Sequence, residues 1–162
     1  MIAAEIEARI CAALAAAIGE HTAGAARRSV VRGRWGDASE AKSGPELSPV
    51  GMTVEVGVAP GSWEKFQLPK ATFACSVDIR FENASAVAAR TTVVPTADAV
   101  ERLLARWQMN KESLVADIGL EGFRPFSAKG TGGNAPVFVE TLGTWSISFT
   151  FEVTGLVACE LN

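Results

Sequence analysis

The stretch Ala71-Thr-Phe-Ala-Cys-Ser-Val-Asp-Ile-Arg-Phe-Glu82 decides the fold. Ala71, Phe73, Cys75, Val77, Ile79 and Phe81 fall on one side of an extended chain. Thr72, Ala74, Ser76, Asp78, Arg80 and Glu82 fall on the other, and only Ala74 blurs the alternation. A period of two over this length predicts a half-buried β-strand. At ~3.4 Å per residue the segment reaches ~40 Å, longer than most strands. One apolar face and one polar face are the signature of antiparallel sheet packed on one side only.

Near the other end of the chain, Trp145, Ile147, Phe149, Phe151 and Val153 alternate in the same way with Ser146, Ser148, Thr150, Glu152 and Thr154. Two strands so alike in length and pattern are expected in one sheet. A third strand is predicted where Val54, Val56 and Val58 alternate with Thr53, Glu55 and Gly57, closed by a Pro60-Gly61 turn. Weaker β signals lie at Ser29–Arg32, at Leu120–Phe126 (limited by Pro125) and at Val137–Leu142.

Helical spacing appears twice. Ile2, Ile6, Ile10, Leu14 and Ile18 recur every fourth residue among alanines, with Glu5, Glu7 and Arg9 among the charges and Gly19 suited to the end. In the centre, Val100, Leu103, Leu104 and Trp107 form an i, i+3, i+4, i+7 stripe, with Pro95 and Thr96 where a helix entry belongs. Asn110 is placed to cap a further short turn carrying Leu114 and Ile118 and ended by Gly119; one kinked helix or two fit equally. The expectation is a single α+β domain over residues 1–162. Its antiparallel, mostly two-faced sheet carries the N-terminal and central helices on its apolar face. Two polar stretches, Gly33–Pro49 and Ser127–Pro136, read as long loops.

Bulk composition sets limits. A chain of 162 residues, 48% hydrophobic and 20% charged, has the profile of an ordinary globular domain. The formal net charge of −3 supplies no general attraction to nucleic acid or to an anionic membrane. No run approaches the ~18 apolar residues of a membrane span, and the charges within Met1–Ile18 argue against a signal peptide. Three widely spaced cysteines, Cys11, Cys75 and Cys159, read as reduced thiols of a cytoplasmic protein rather than a disulfide framework.

Catalytic and metal motifs are hard to find. His21 is the one histidine, so any Cys–His or Ser–His pair would have to use it. Cys75, its conceivable partner, sits on the apolar strand face, where a small buried thiol is ordinary. No Cys or His spacing suits zinc. Gly130-Thr-Gly-Gly-Asn134 superficially resembles a phosphate loop, but Lys129 precedes the glycines and Pro136 follows, with no helix to open. Ser39/Lys42 and Ser62/Lys65 match a two-residue Ser-x-x-Lys pattern without its supporting elements. No catalytic residue, cofactor or metal is therefore assigned. Trp35 and Trp63 lie in polar connections, where tryptophan serves as an interface anchor or folds back against the core.

The order of elements resembles the tail terminator, or tail-completion, proteins of long-tailed bacteriophages. The segments that carry the resemblance are Ala71–Glu82, Thr96-Ala-Asp-Ala-Val-Glu-Arg-Leu-Leu104 and Thr144-Trp-Ser-Ile-Ser-Phe-Thr-Phe-Glu-Val153, with Leu68-Pro69-Lys70 at the entrance to the first. The Gly33–Pro49 and Ser127–Pro136 stretches depart from a minimal member. The resemblance implies a non-enzymatic virion tail protein that forms a homo-oligomeric ring, usually a hexamer. That ring caps the tail tube and meets head-completion proteins. Trp35, Arg124 and Lys129 are the expected partner contacts. The alternatives are a small-ligand-binding α+β domain with an apolar pocket between helix and sheet, and an enzyme built on dispersed carboxylates.

Overall fold

The computed structural model describes residues 1–21, 30–42, 52–64, 69–81, 86–139 and 144–158. Glu82, Ser29, Lys65, Leu68, Cys159 and residues 43–49 and 140–142 lie outside them. Ten elements follow in order: α1 (Ile2–His21), β1 (Val30–Gly33), β2 (Gly36–Lys42), β3 (Met52–Val58), β4 (Ser62–Glu64), β5 (Lys70–Phe81), α2 (Ala86–Met109), α3 (Lys111–Ile118), β6 (Phe123–Val139) and β7 (Thr144–Val157). The strands form one sheet in the order β2-β1-β3-β5-β7-β6, with β4 also paired to β5. Only β1 and β3 run parallel among the described pairs. The fold is α+β, as expected.

The two strands with the strongest alternation are neighbours. β5 and β7 pair antiparallel without a break from Lys70↔Leu156 to Phe81↔Trp145. Unbroken register matters because side chains alternate with a period of two, so a one-residue slip would turn every apolar side chain outward. As it stands, Phe73, Val77, Ile79, Phe81, Ile147, Phe151 and Val153 are all buried on one face. The three helices cover that face: α1 meets β1 to β3, while α2 and α3 meet β6 and α2 also meets β5. Trp107 of α2 is fully buried and stacks obliquely on Phe151, with ring centroids 6.1 Å apart. Its indole N–H donates to Asp117 Oδ2 at 2.7 Å, so the polar edge of this large side chain is satisfied.

The central helical region is two helices. Asn110 adopts extended backbone, and its Oδ1 accepts from the N–H groups of Glu112 and Ser113, capping α3. Other boundaries moved. α1 runs past Gly19 to His21, so the histidine is the helix's last residue rather than a loop residue. α2 begins at Ala86, leaving Pro95 inside it rather than at its entry. Proline removes one intrahelical hydrogen bond, but Val93 and Thr96 are buried on either side of it, and their packing holds the helix through the gap.

Both expected loops proved to be strands in whole or part. Residues 36–42 of the Gly33–Pro49 stretch form β2, which folds back on β1 across the two-residue turn Arg34-Trp35. The glycine-rich Ser127–Pro136 stretch is the middle of β6. β7 extends as an unbroken template, and β6 follows it with register shifts between Pro125/Ser127, Gly130/Gly132 and Asn134/Val137. Each shift inserts a residue that the ladder does not need, which is how proline and glycine are tolerated on an edge strand. Gly132, with φ 138°, takes a backbone conformation closed to other residues. Trp63, expected in a connection, lies on β4.

The core predicts a mutational outcome. Phe151→Ala removes the ring that joins β7 to Trp107 and should cost about 3–5 kcal/mol. Urea unfolding checks this; a loss below about 1 kcal/mol would mean that Phe151 does not hold helix to sheet.

Candidate functional site

With the helices on one side, the other sheet face is left to polar and small side chains. Register places them in rows: Thr154 beside Thr72, Thr150 beside Ser76, Ser148 beside Asp78. Thr72 and Thr154 share a hydroxyl hydrogen bond of 3.0 Å. Arg34, projected from the β1–β2 turn, ties three elements together. Its Nε donates to Glu55 Oε1 at 2.7 Å and its Nη2 to Asp78 Oδ2 at 2.8 Å. Ser148 Oγ donates to the other oxygen of Asp78 at 2.6 Å. The Arg34 side chain is about half exposed, so water screens these pairs and their net stabilisation is modest, ~1 kcal/mol or less each.

Beside this network lies an open groove of about 570 Å³. Arg34 and Trp35 bound it on the β1 side, and Thr131 and Glu152 on the β6 side. Gly57, Ala74 and Ser76 line it between them; their small size is what leaves the hollow. Trp35 is 45% exposed, yet both of its N–H groups are engaged. The indole Nε1 donates to the Val58 carbonyl at 2.6 Å, and the backbone N–H donates to Glu7 Oε1 at 2.7 Å.

Glu7 is the residue that sequence reasoning missed. It is only 1% exposed, on the inner side of α1, and its other oxygen accepts the Val58 N–H at 3.2 Å. Burial pushes its carboxyl above the usual glutamate range; the two backbone N–H groups and the Arg34 charge pull the other way but do not cancel it. A signal for this burial was present. Ala3, Glu7, Cys11 and Ala15 form a second four-residue column beside Ile6, Ile10, Leu14 and Ile18, and every member of both columns is buried. Gly33 completes the arrangement, because a Cβ there would overlap the Glu7 carboxylate.

The remaining candidates separate. Arg124 and Lys129 are exposed on β6, opposite Leu156 and Glu152, and so share the groove's face of the sheet with each other. Trp35 stands across the groove from Lys129's strand. Trp63, 55% exposed, pairs at Ala71 on β4 and does not line the groove. Cys75 is buried, its Sγ directed to the Phe73 carbonyl at 3.5 Å, and desolvation pushes its thiol up to about 12. Among the described residues no group of three or more His, Cys, Asp or Glu side chains is placed to hold a metal ion. No described helix is long and apolar enough to cross a membrane.

No family model and no curated protein matches the chain. Among solved structures it is similar to a chain of the "Virion of native gene transfer agent (GTA) particle". The two are 15% identical, the match covers 70% of this chain and 74% of that one, and the TM-score is 0.41.

Two outcomes follow from the site. Gly33→Ala should cost about 1–3 kcal/mol by forcing the Glu7 carboxylate out of its seat, measured by thermal or urea unfolding. Cys75 should resist alkylation in the native protein at neutral pH and react once denatured, because a thiol this far from ionisation supplies almost no thiolate. Rapid native labelling of Cys75, read by peptide mass, would contradict its placement.

Proposed function

We propose that the chain is a non-enzymatic structural subunit of a phage-like particle, assembling into a ring that caps the tail tube and joins tail to head. The observation that carries this reading is the 17-residue β6 at one end of the sheet. Among the described residues the strand it pairs with is β7, and Leu120 bridges its first residue, Phe123. A long edge strand presents backbone donors and acceptors to a neighbouring subunit, and its bulges restrict which neighbour fits. Among the described residues no helix lies over the sheet face beside it, which carries Arg124 and Lys129. The interior supports the same reading: the space between helices and sheet is occupied by Trp107, Phe73, Phe81, Phe123 and Phe151, all fully buried. A ligand pocket at that place, which the small-molecule alternative requires, would have to displace them.

The groove beside Trp35 keeps that alternative testable, since it has the volume of a small-molecule site. Light scattering across a concentration series distinguishes the two. A stable species near six times the 17.0 kDa chain, about 100 kDa, is expected for the ring. Alanine at Trp35, Arg124 and Lys129 should weaken that assembly while leaving the far-ultraviolet circular dichroism of the monomer unchanged. A monomer at every concentration, alone and with tail-tube protein, would overturn the ring.

A further inference from the structure

The exposed charges on the outer face of the sheet are nearly all of one sign. Register puts Arg32 of β1, Arg80 of β5, and Arg124 and Lys129 of β6 on that face, and each is exposed. Against them, among the described side chains of the face, stands the exposed carboxylate of Glu152. Glu55 and Asp78 are half-buried and already hold Arg34 between them. The ion pairs between described residues involve none of the other four cations. The helical side differs, since exposed Glu101 and Glu112 stand there among Arg102, Arg106 and Lys111. The formal net charge of −3 thus averages over surfaces of unlike character.

Spacing and chemistry narrow the partner. Arg124 lies opposite Leu156 of β7 and Arg80 opposite Ser146, ~34 Å apart at the rise of a strand. Lys129, opposite Glu152, falls between them. That span suits a chain of phosphates and exceeds any small anion. Hydroxyl side chains fill the rows between, Thr72 beside Thr154 and Ser76 beside Thr150, and such groups donate to phosphate oxygens. Trp35 adds an aromatic surface. Its two N–H groups are committed to Val58 and Glu7, so the ring is held in place, 45% exposed, beside the 570 Å³ groove. A fixed ring next to an open hollow is a platform on which any unpaired base can stack. A duplex keeps its base faces covered and gains nothing from it. We propose that this face binds single-stranded nucleic acid, with Arg32, Arg80, Arg124 and Lys129 on its phosphates and Trp35 stacked on a base. Glu152 opposes the attraction at Lys129, so the site is salt-sensitive and of modest strength. Pairing of a subunit along the β6 edge would leave the face open, so the inference stands with or without the ring.

Fluorescence anisotropy of a labelled oligothymidine of ~20 nucleotides, titrated with the full chain, tests it. Light scattering on the same samples reports the subunit number, so failure of the ring and failure of this site are read separately. Binding is expected at low salt. The logarithm of the affinity should fall against that of the salt concentration with a slope of about −3, as for four phosphates of a single strand. Arg80→Gln or Arg32→Gln should weaken binding and flatten the slope by about 0.7, whereas Lys111→Gln on α3 should change neither. Tryptophan fluorescence should be quenched on binding by the native chain and not by Trp35→Phe. No binding at low salt overturns the idea, as does a loss in Lys111→Gln equal to that in Arg80→Gln. Quenching that persists in Trp35→Phe overturns it too. Equal affinity for a duplex would remove the stacked base, and equal affinity for polyglutamate would mark a site for acidic protein; either result overturns the assignment. Should Trp35→Phe not fold, the native salt slope and the duplex comparison decide.

Discussion

The unbroken pairing of β5 with β7 is the constraint on which the rest depends. It sets twelve consecutive residues of β5 opposite partners in β7. Because the register never shifts, two apolar rows lie side by side on one face and two polar rows on the other. The apolar rows create a surface that must be covered, and the three helices cover it. The polar rows create a face that water can solvate, so nothing has to cover it. Each edge of this pair is then extended by a strand whose own sequence is a poorer strand former. β3 still alternates well, but β6 contains Pro125, Pro136 and three glycines and holds its place by following β7.

Glu7 shows how a fold built on apolar burial admits a charge. A buried carboxylate normally destabilises unless its oxygens are satisfied. Here both oxygens accept backbone N–H groups from elements far away in sequence. The consequence is that α1 is fixed to the sheet by geometry as well as by apolar contact. The helix cannot rotate or slide by one position without abandoning both bonds. Gly33 is the counterpart of this choice, since it is the absence of its side chain that leaves room for the carboxylate.

The two faces of the sheet therefore do different work. The inner face, under the helices, is packed with aromatic and branched side chains. The outer face is held by small and hydroxylated residues and by the Arg34–Glu55–Asp78–Ser148 chain of contacts. Whatever meets this protein has the outer face, the turn bearing Trp35 and the long edge of β6 available to it.

The alternation of residues 71–81 and 145–153, the stripe of α1, the Asn110 cap and the burial of Cys75 were all legible in the sequence. Each depends on neighbours a few residues away, where periodicity speaks directly. The two stretches expected as loops were not legible as strands, because glycine, proline and polar side chains carry no local preference for extended pairing. Residues 127–136 are strand only because β7 offers them a ladder, and residues 36–42 only because β1 does. Trp35, Arg124 and Lys129 could be named from the sequence as expected partner contacts, but their positions across a groove and along an edge came from strand order. Glu7 stood in the sequence only as one of the charges of the first helix, since one-dimensional spacing does not say that backbone donors from residues 35 and 58 will arrive beside it. The sequence alone thus determined the fold class and the two strands that organise it, since alternation and helical spacing are local properties. The tertiary structure decided which weak segments became strands, where the groove lies and why a carboxylate is buried beneath it, because pairing partners and desolvation exist only once distant segments meet.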